Sequence, residues 1–496
     1  MAAYDVVVVG AGNAALSAAI AARERGANVL VLEKASEGER GGNTFFSGGG
    51  YRFPYRGLDD IRGLIPDLSD AEVDRIDLGA YTAAEMRHDL MRITEGLSDS
   101  DLVDHLIEQA YPTAVWLRDQ AGLRWVLMYG RQAYEVDGKL RFWGGMITEA
   151  VGAGAGLSDR MFTTALEQGI EVRYGAGARD LLTDATTGAV TGVRIKTDDG
   201  LEDVEARSVV LGCGGFEANT EMRTRYLGSG WELAKVRGTR HNSGDGIRMA
   251  LDIGAQSYGH WSSAHAVAWD LNAPPTGNRR IGDLYQKHSY PLGLIVNIRG
   301  ERFVDEGADL RNYTYAKYGR EILRQPQSVA FQLFDQRTVS MLRDEYRIRE
   351  VTKGEADTIR GLAEDLGVDP DALERTVEAY NAACPSPDTF DPSKRDGLAT
   401  TGITPPKSNW ALPLDSPPYV GFAVTCGVTF TFGGLRIVPR TGAVLDTEDR
   451  PMPGLYAAGE LVGGLFWHNY AGGTGLMAGA VFGRTAGYAA AEAALS

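Results

Sequence analysis

The chain has only three cysteines in 496 residues, Cys213, Cys384 and Cys426, with no C-x-x-C pair and no metal-ligand spacing. That excludes a disulfide scaffold and a cysteine-held metal or cluster, and three reduced thiols fit a cytoplasmic protein. Basic residues are outnumbered, 50 Lys and Arg against 66 Asp and Glu, for a formal charge of −16. Nonspecific nucleic-acid binding needs a basic face and is excluded on that ground. No apolar run approaches the ~18 residues of a membrane span. No basic leader precedes the first strand, which opens at Tyr4, so no secretory signal is expected. Glycine is what abounds, with 63 residues in short clusters and no fixed repeat. Such clusters exclude a collagen-like chain and read as backbone approaching a large phosphate-bearing ligand.

Residues 5–9 (DVVVV) form a β-branched run ending in glycine, which predicts a buried parallel strand. An alanine-rich helix over 13–25 stops at Gly26, and 28–33 (NVLVLE) is the second strand. This βαβ start predicts an α/β fold with a doubly wound sheet. Residues 57–125 read as mainly helical, 180–196 as a meander turning at Thr187-Gly188, and 208–211 as another buried strand. After about residue 262 the pattern turns irregular, then helical over 323–382. A Pro-rich linker follows over 404–418. The last seventy or so residues return to the strand, glycine and helix style of the start. The expected division is a nucleotide-binding domain over 1–262 and 421–496, with a second domain inserted over 263–420.

Gly10-Ala11-Gly12-Asn13-Ala14-Ala15 matches the G-x-G-x-x-G/A fingerprint. Gly10 permits the tight turn, Gly12 lets backbone approach a pyrophosphate, and Ala15 lets the helix pack close to the sheet. The helix N-terminus then meets phosphate charge with free N–H groups and its dipole. Glu33, about twenty residues on, is placed to accept from ribose hydroxyls. NAD(P) and FAD both fit such a turn, and the C-terminus decides for FAD. There 454–460 (GLYAAGE) gives a strand ending at a glycine and an acid, and 472–476 (GGTGL) opens a second helix. A helix N-terminus at that place suits negative charge on the N1–O2 edge of a reduced flavin.

The segments GAGNAA, GGNT, VVLGCGGF, NSGDGI, GLYAAGE and GGTGLM occur in one order across nearly the whole chain. In them the sequence resembles the succinate dehydrogenase/fumarate reductase flavoprotein family. EGADLRNYTYAKYG and HNYAGGTGLMAGAVFGR look most like its tricarballylate dehydrogenase branch. The resemblance implies a Rossmann-like FAD-binding domain with an inserted α+β capping domain. It puts FAD contacts on Gly10, Gly12, Asn13, Ala14, Glu33, Lys34, Gly42, Asn43, Thr44, Gly49, Ala178, Gly214, Asp245, Gly459, Glu460, Gly475 and Leu476. Members with covalent flavin carry a histidine near GGNT. Here 43–47 reads NTFFS, so non-covalent FAD is expected.

Members of the family move a hydride between flavin N5 and a carbon beside an electron-withdrawing group, while a cap side chain moves a proton at the neighbouring carbon. In fumarate reductases the donor is an arginine downstream of G-x-R-F-x-x-E. Here 300–306 (GERFVDE) is followed by Arg311, one residue later than in those enzymes. Arg311 is the resulting candidate, and its bland alternative is a surface partner of Asp305 or Asp309. His265 matches the family's A-H-P-T histidine, with Ala266 in place of the proline.

Other family ligands are missing. The T-E-x-x-R relay falls on Tyr285-Gln286-Lys287-His288-Ser289, which has neither acid nor arginine. The paired histidines before T-M-G-G fall on Thr429-Phe430, and the arginine of A-N-R-L-G-G-N falls on Tyr470. Replacing an arginine fork by tyrosine removes a bidentate carboxylate clamp, so fumarate and succinate are not expected as substrates. Tyr285, His288, His468 and Tyr470 become acid–base or binding candidates, joined by Tyr290. Trp261, Trp269 and Trp467 offer flat apolar area for a larger substrate. Each of these aromatics reads equally well as core.

The expected activity is FAD-dependent dehydrogenation or reduction of a carbon–carbon bond next to a carboxylate or carbonyl. One alternative is an enone-forming enzyme like the 3-ketosteroid dehydrogenases, with a tyrosine base. Another is an electron-transfer flavoprotein subunit without its own substrate, and a third is a flavin protein that has lost turnover. The chain carries no haem or cluster motif, so the expected electron partner is a separate protein or a quinone.

Overall fold

The computed structural model describes residues 4–496. The first strand, Tyr4–Val9, lies at the centre of a sheet, with Gly200–Leu211 on one side and Val29–Leu32 on the other, all parallel. Glu171–Arg173 extends the sheet beyond Val29–Leu32, and Pro451–Ala457 pairs in parallel with Gly200–Leu211. Val6, Val7 and Val8 are wholly buried, as a strand covered on both faces requires. Helices Asn13–Glu24 and Thr474–Leu495 pack directly on each other beside this sheet, so the two ends of the chain share one core. Gly483 and Gly487 lie against the backbone of Ala14 and Ala18, and the small residues let the two helices approach closely.

The strand Gly200–Leu211 serves two partners. Its first half pairs antiparallel with Val190–Thr197, and its second half joins the parallel core. The meander read from 180–196 is thus the strand pair Gly177–Thr183 and Val190–Thr197, and the segment 208–211 is the buried end of a longer strand.

A second, six-stranded sheet is built on the long strand Tyr419–Leu435. It pairs antiparallel with Ser257–Asp270, Ala330–Phe334 and Lys353–Ala356. Leu294–Asn297 pairs with Ala330–Phe334. The positions 262/263 and 420/421, expected as domain boundaries, both fall inside strands of this sheet.

Two segments differ from the sequence reading. The stretch 323–382 is not continuously helical, because the largely apolar Ala330–Phe334 (AFQLF) is a fully buried central strand. Helices resume at Ile359–Leu366 and Pro370–Ala383. The Pro-rich 404–418 is no free linker, since Lys407, Trp410, Ala411 and Leu414 are buried. Tyr380 Oη donates to the carbonyl of Leu412, and Trp410 Nε1 to those of Asp391 and Lys394.

Candidate active site

One deep cleft runs from the first strand's carboxyl end to the second sheet. At its nucleotide end the chain turns at Gly10 with φ of +98°, in the left-handed region. A Cβ there would stand 2.7 Å from Cys213 Cα and from the Gly212 carbonyl oxygen. Helix Asn13–Glu24 then begins after Gly12 with no side chain capping it. Thr44 Oγ1 accepts from the Asn13 N–H at 2.8 Å, and the first turn is otherwise open to an anion. Glu33 ends the second strand and lines the cleft, and burial pushes its carboxyl pKa up. Lys34 Nζ donates to Asp245 Oδ2 at 2.7 Å and to Ser243 Oγ at 2.6 Å.

Gly10→Ala is therefore expected to lose bound flavin, because both the backbone angle and the contact with Cys213 forbid the methyl group. The flavin-to-protein absorbance ratio of purified protein measures this. A variant that keeps its full flavin complement would show that the turn does not set cofactor binding.

Further along, Asn43 Nδ2 donates to Glu217 Oε1 and to the Thr429 carbonyl, each at 2.7 Å. Asn242 Nδ2 donates to the same Glu217 oxygen at 2.7 Å. Glu460 accepts from Thr431 N at 2.9 Å. Burial and the adjoining Glu217 carboxylate push Glu460 well above the ordinary range, so this acid pair holds a proton. A second helix, Thr474–Leu495, whose N-cap Gly473 has no side chain to offer, points its N-terminus into the cleft.

All the sequence-derived cofactor positions except Gly49 line this cleft. Gly49 lies against the backbone of Ala153 instead, with φ of +68°, where a Cβ would stand 2.8 Å from Ala153 Cα. The residues present fit FAD. The N-terminus of Asn13–Glu24 would receive a pyrophosphate, that of Thr474–Leu495 also opens on the cleft, and glycines line the path between them.

The far end of the cleft is rich in hydrogen-bond donors. Arg237 donates to Asp283 Oδ1 through Nε at 2.9 Å and Nη2 at 2.6 Å, and Arg131 donates to Asp283 Oδ2 at 3.1 Å. Arg343 lies 3.4 Å from Glu345, leaving its Nε and Nη1 without a hydrogen-bond partner. The neighbouring arginines hold the Glu345 carboxyl down despite its burial.

Arg311 sits on the short turn Arg311–Tyr313 and is 7% exposed. Its one side-chain hydrogen bond is to the Arg131 carbonyl, at 3.2 Å. The surface pairing with Asp305 or Asp309 does not occur. Asp309 is bound by Arg92 at 2.6 Å, and Asp305 accepts from Gly307 N and from the backbone and hydroxyl of Ser408. Burial and the nearby Arg343 pull the Arg311 pKa down to about 9.

His265 and His288 also face this end, and neither ring nitrogen of either has a hydrogen-bond partner. Burial drives both pKa values well below the ordinary histidine value, so both rings are neutral. His265 stacks on Phe430 with ring centres 5.1 Å apart. Tyr315 packs edge-on to both imidazoles, and Tyr470 Oη accepts from Gly475 N at 3.0 Å.

Several expected residues lie elsewhere. Tyr285 packs on Trp269 in the core, Tyr290 bonds Thr314, and Trp261 stacks on Phe216. Trp467 stacks on His260, whose Nδ1 accepts from the His468 backbone N–H at 3.0 Å. None of these residues lines the cleft. Arg131, Arg237, Asp283, Arg343 and Tyr315 do line it and were not read from the sequence. Arg237 stands five residues before the NSGDGI segment, Asp283 two before Tyr285-Gln286-Lys287-His288-Ser289, and Tyr315 lies inside EGADLRNYTYAKYG, while Arg131 and Arg343 adjoin no motif.

A family model described as "FAD binding domain" matches residues 5–476. This chain belongs to that family. The flavoprotein is 29% identical to a probable fumarate reductase, Ifc3, of Shewanella frigidimarina, over 99% of its own length and 75% of the relative's. It is 30% identical to urocanate reductase of Eggerthella lenta, with the same coverage of each chain. A solved flavocytochrome c3 fumarate reductase in the open conformation superposes with a TM-score of 0.74 at 27% identity. That match covers 99% of this flavoprotein and 79% of the other chain. The mixed α/β fold expected from the sequence is the fold of that enzyme.

Proposed function

We propose that this flavoprotein is an FAD-dependent oxidoreductase that interconverts a carbon–carbon single and double bond beside a carboxylate. The observation that carries the reading is Arg311, a buried guanidinium on the cleft with no carboxylate partner, among donors that have no acceptors. A buried, donor-rich and cationic site is completed by an anion that brings several acceptor oxygens. The names of the relatives, reductases of fumarate and of urocanate, agree with that ligand class.

FAD, when bound, supplies hydride exchange at N5. The chain's own residues do the rest. Arg131 and Arg237, locked by Asp283, orient a substrate carboxylate. Arg311 moves the proton at the neighbouring carbon, and its lowered pKa brings it nearer to the range in which an acid also serves as a base. His265 and His288, being neutral, each offer one donor and one acceptor. The tyrosines fit the enone-forming alternative less well. Burial raises both Tyr315 and Tyr470, which opposes a phenolate base.

The capping unit, taken as 263–420, brings His265, Asp283, His288, Arg311 and Arg343, while Arg131 and Arg237 come from the FAD-binding part. FAD is held non-covalently, because covalent members carry a histidine near GGNT and the stretch Asn43-Thr44-Phe45-Phe46-Ser47 has none. Electrons pass to or from a separate protein or a quinone. The three unpaired cysteines fit a cytoplasmic location, and no helix among the described residues is long and apolar enough to cross a membrane.

Steady-state assays with artificial electron donors and acceptors, comparing unsaturated and saturated polycarboxylates with cyclic enones, test the reading. Turnover of the carboxylates supports it. Turnover of the ketones alone overturns it.

A further inference from the structure

Behind the N-terminus of the Thr474–Leu495 helix lies an arginine that the reaction scheme does not use. Arg52 is wholly buried. Its Nε donates to the Gly472 carbonyl at 2.8 Å, and its backbone N–H to the Gly473 carbonyl at 3.2 Å. Its Nη1 donates to the hydroxyls of Tyr81 at 2.9 Å and Tyr313 at 3.2 Å. Its Nη2 is buried with no partner at all. The nearest carboxylate in this network, Asp89, is reached only through those two phenols, which donate to it at 2.9 Å and 2.6 Å. Asp89 is in addition paired with Arg92 at 3.4 Å.

A buried guanidinium with no carboxylate in contact is costly, and a fold keeps one where an anion arrives later. The group expected against Gly473 and Gly475 is the edge of the flavin that gains negative charge on reduction. Gly472 and Gly473 form the turn that opens the helix there, so Arg52 adds a full positive charge behind the helix dipole. In a medium of low dielectric a charge one layer away acts strongly.

We propose that Arg52 is a positioning and tuning residue. It braces the Gly472-Gly473 turn, and its charge, only partly offset by Asp89 across the two phenols, raises the reduction potential of the bound FAD. The Arg311–Tyr313 segment is built into the same brace, since Tyr313 bonds Arg52 and Gly472 N donates to the Asn312 carbonyl at 2.9 Å. The proposal rests on the FAD assignment and not on the identity of the substrate.

The test is the midpoint potential of the holoprotein, titrated with a reference dye at pH 7 without substrate. Arg52→Gln is expected to cut the equilibrium constant for two-electron reduction at least tenfold, which is a fall of ~30 mV or more. Arg52→Lys keeps the charge and is expected to stay close to wild type. Asp89→Asn removes the one carboxylate of the network without touching Arg52, and is expected to shift the potential upward. A loss of packing alone would not give shifts of opposite sign. If Arg52→Gln fails to fold, the sign of the Asp89→Asn shift decides. Unchanged potentials in the variants that retain FAD overturn the proposal, whereas a wild-type protein that holds no FAD overturns the cofactor assignment instead.

Discussion

Arg311→Gln keeps its FAD and its fold and loses turnover by about 10²–10⁴-fold, the share a positioned acid or base contributes. FAD retention is expected because the Arg311 side chain bonds only the Arg131 carbonyl. The fold is expected to survive because the substitution removes a buried charge that no carboxylate contacts directly and that lies beside the like charge of Arg343. Its melting temperature should equal or exceed that of wild type. The pH dependence carries a sign. With the Arg311 pKa near 9, the protonated form dominates at neutral pH and is lost as pH rises through that value. Reduction of a double bond consumes the proton, so its rate falls about tenfold per unit above pH ~9. Dehydrogenation needs the deprotonated form and gains rate up to the same pH. Wild-type turnover in Arg311→Gln, or profiles lacking that inflection, would remove Arg311 from the chemistry.

The nucleotide end of the site was legible because it is local. Gly10, Gly12 and Glu33 lie within a single βαβ unit, whose strand, helix and strand fix their spacing before any tertiary contact is known. The far end was not legible in the same way. Arg131, Arg237, Asp283, Arg311 and Arg343 come from five separate stretches of chain, and no spacing between them is constrained until the second sheet folds. Arg311 was found because it trails a recognisable segment.

The aromatic residues misled in the opposite direction. Trp269, Tyr285 and Tyr290 lie near the expected substrate segment in sequence, yet they fill the core beside it, since a large ring serves either purpose. The strand Ala330–Phe334 escaped notice for a related reason. A strand buried on both faces shows no alternation, and a short apolar run is then indistinguishable from part of a helix. The strands that span positions 262/263 and 420/421 likewise carry no composition break at those places.

The charge at the far end supplies the strongest means of telling a carboxylate substrate from a ketone. Arg237→Gln removes the guanidinium that holds Asp283 Oδ1 and that also donates to Thr429 Oγ1 at 3.1 Å and Gln286 Oε1 at 3.4 Å. Asp283 then keeps only Arg131, at 3.1 Å, and part of its negative charge faces the cleft. An anionic substrate loses an attraction and meets a repulsion. Its affinity is expected to fall by about 10² or more, equivalent to ~2.7 kcal/mol. A neutral ketone gains from neither term, and its affinity should change by less than about threefold. The double variant Arg237→Gln/Asp283→Asn removes both charges and should recover part of the lost affinity for a carboxylate. That coupling would show that the arginine acts through charge balance at the cleft and not through packing alone. If carboxylate binding survives Arg237→Gln unchanged, the arginine–aspartate lock is structural and the substrate's anion must be held by Arg311 and Arg343 instead.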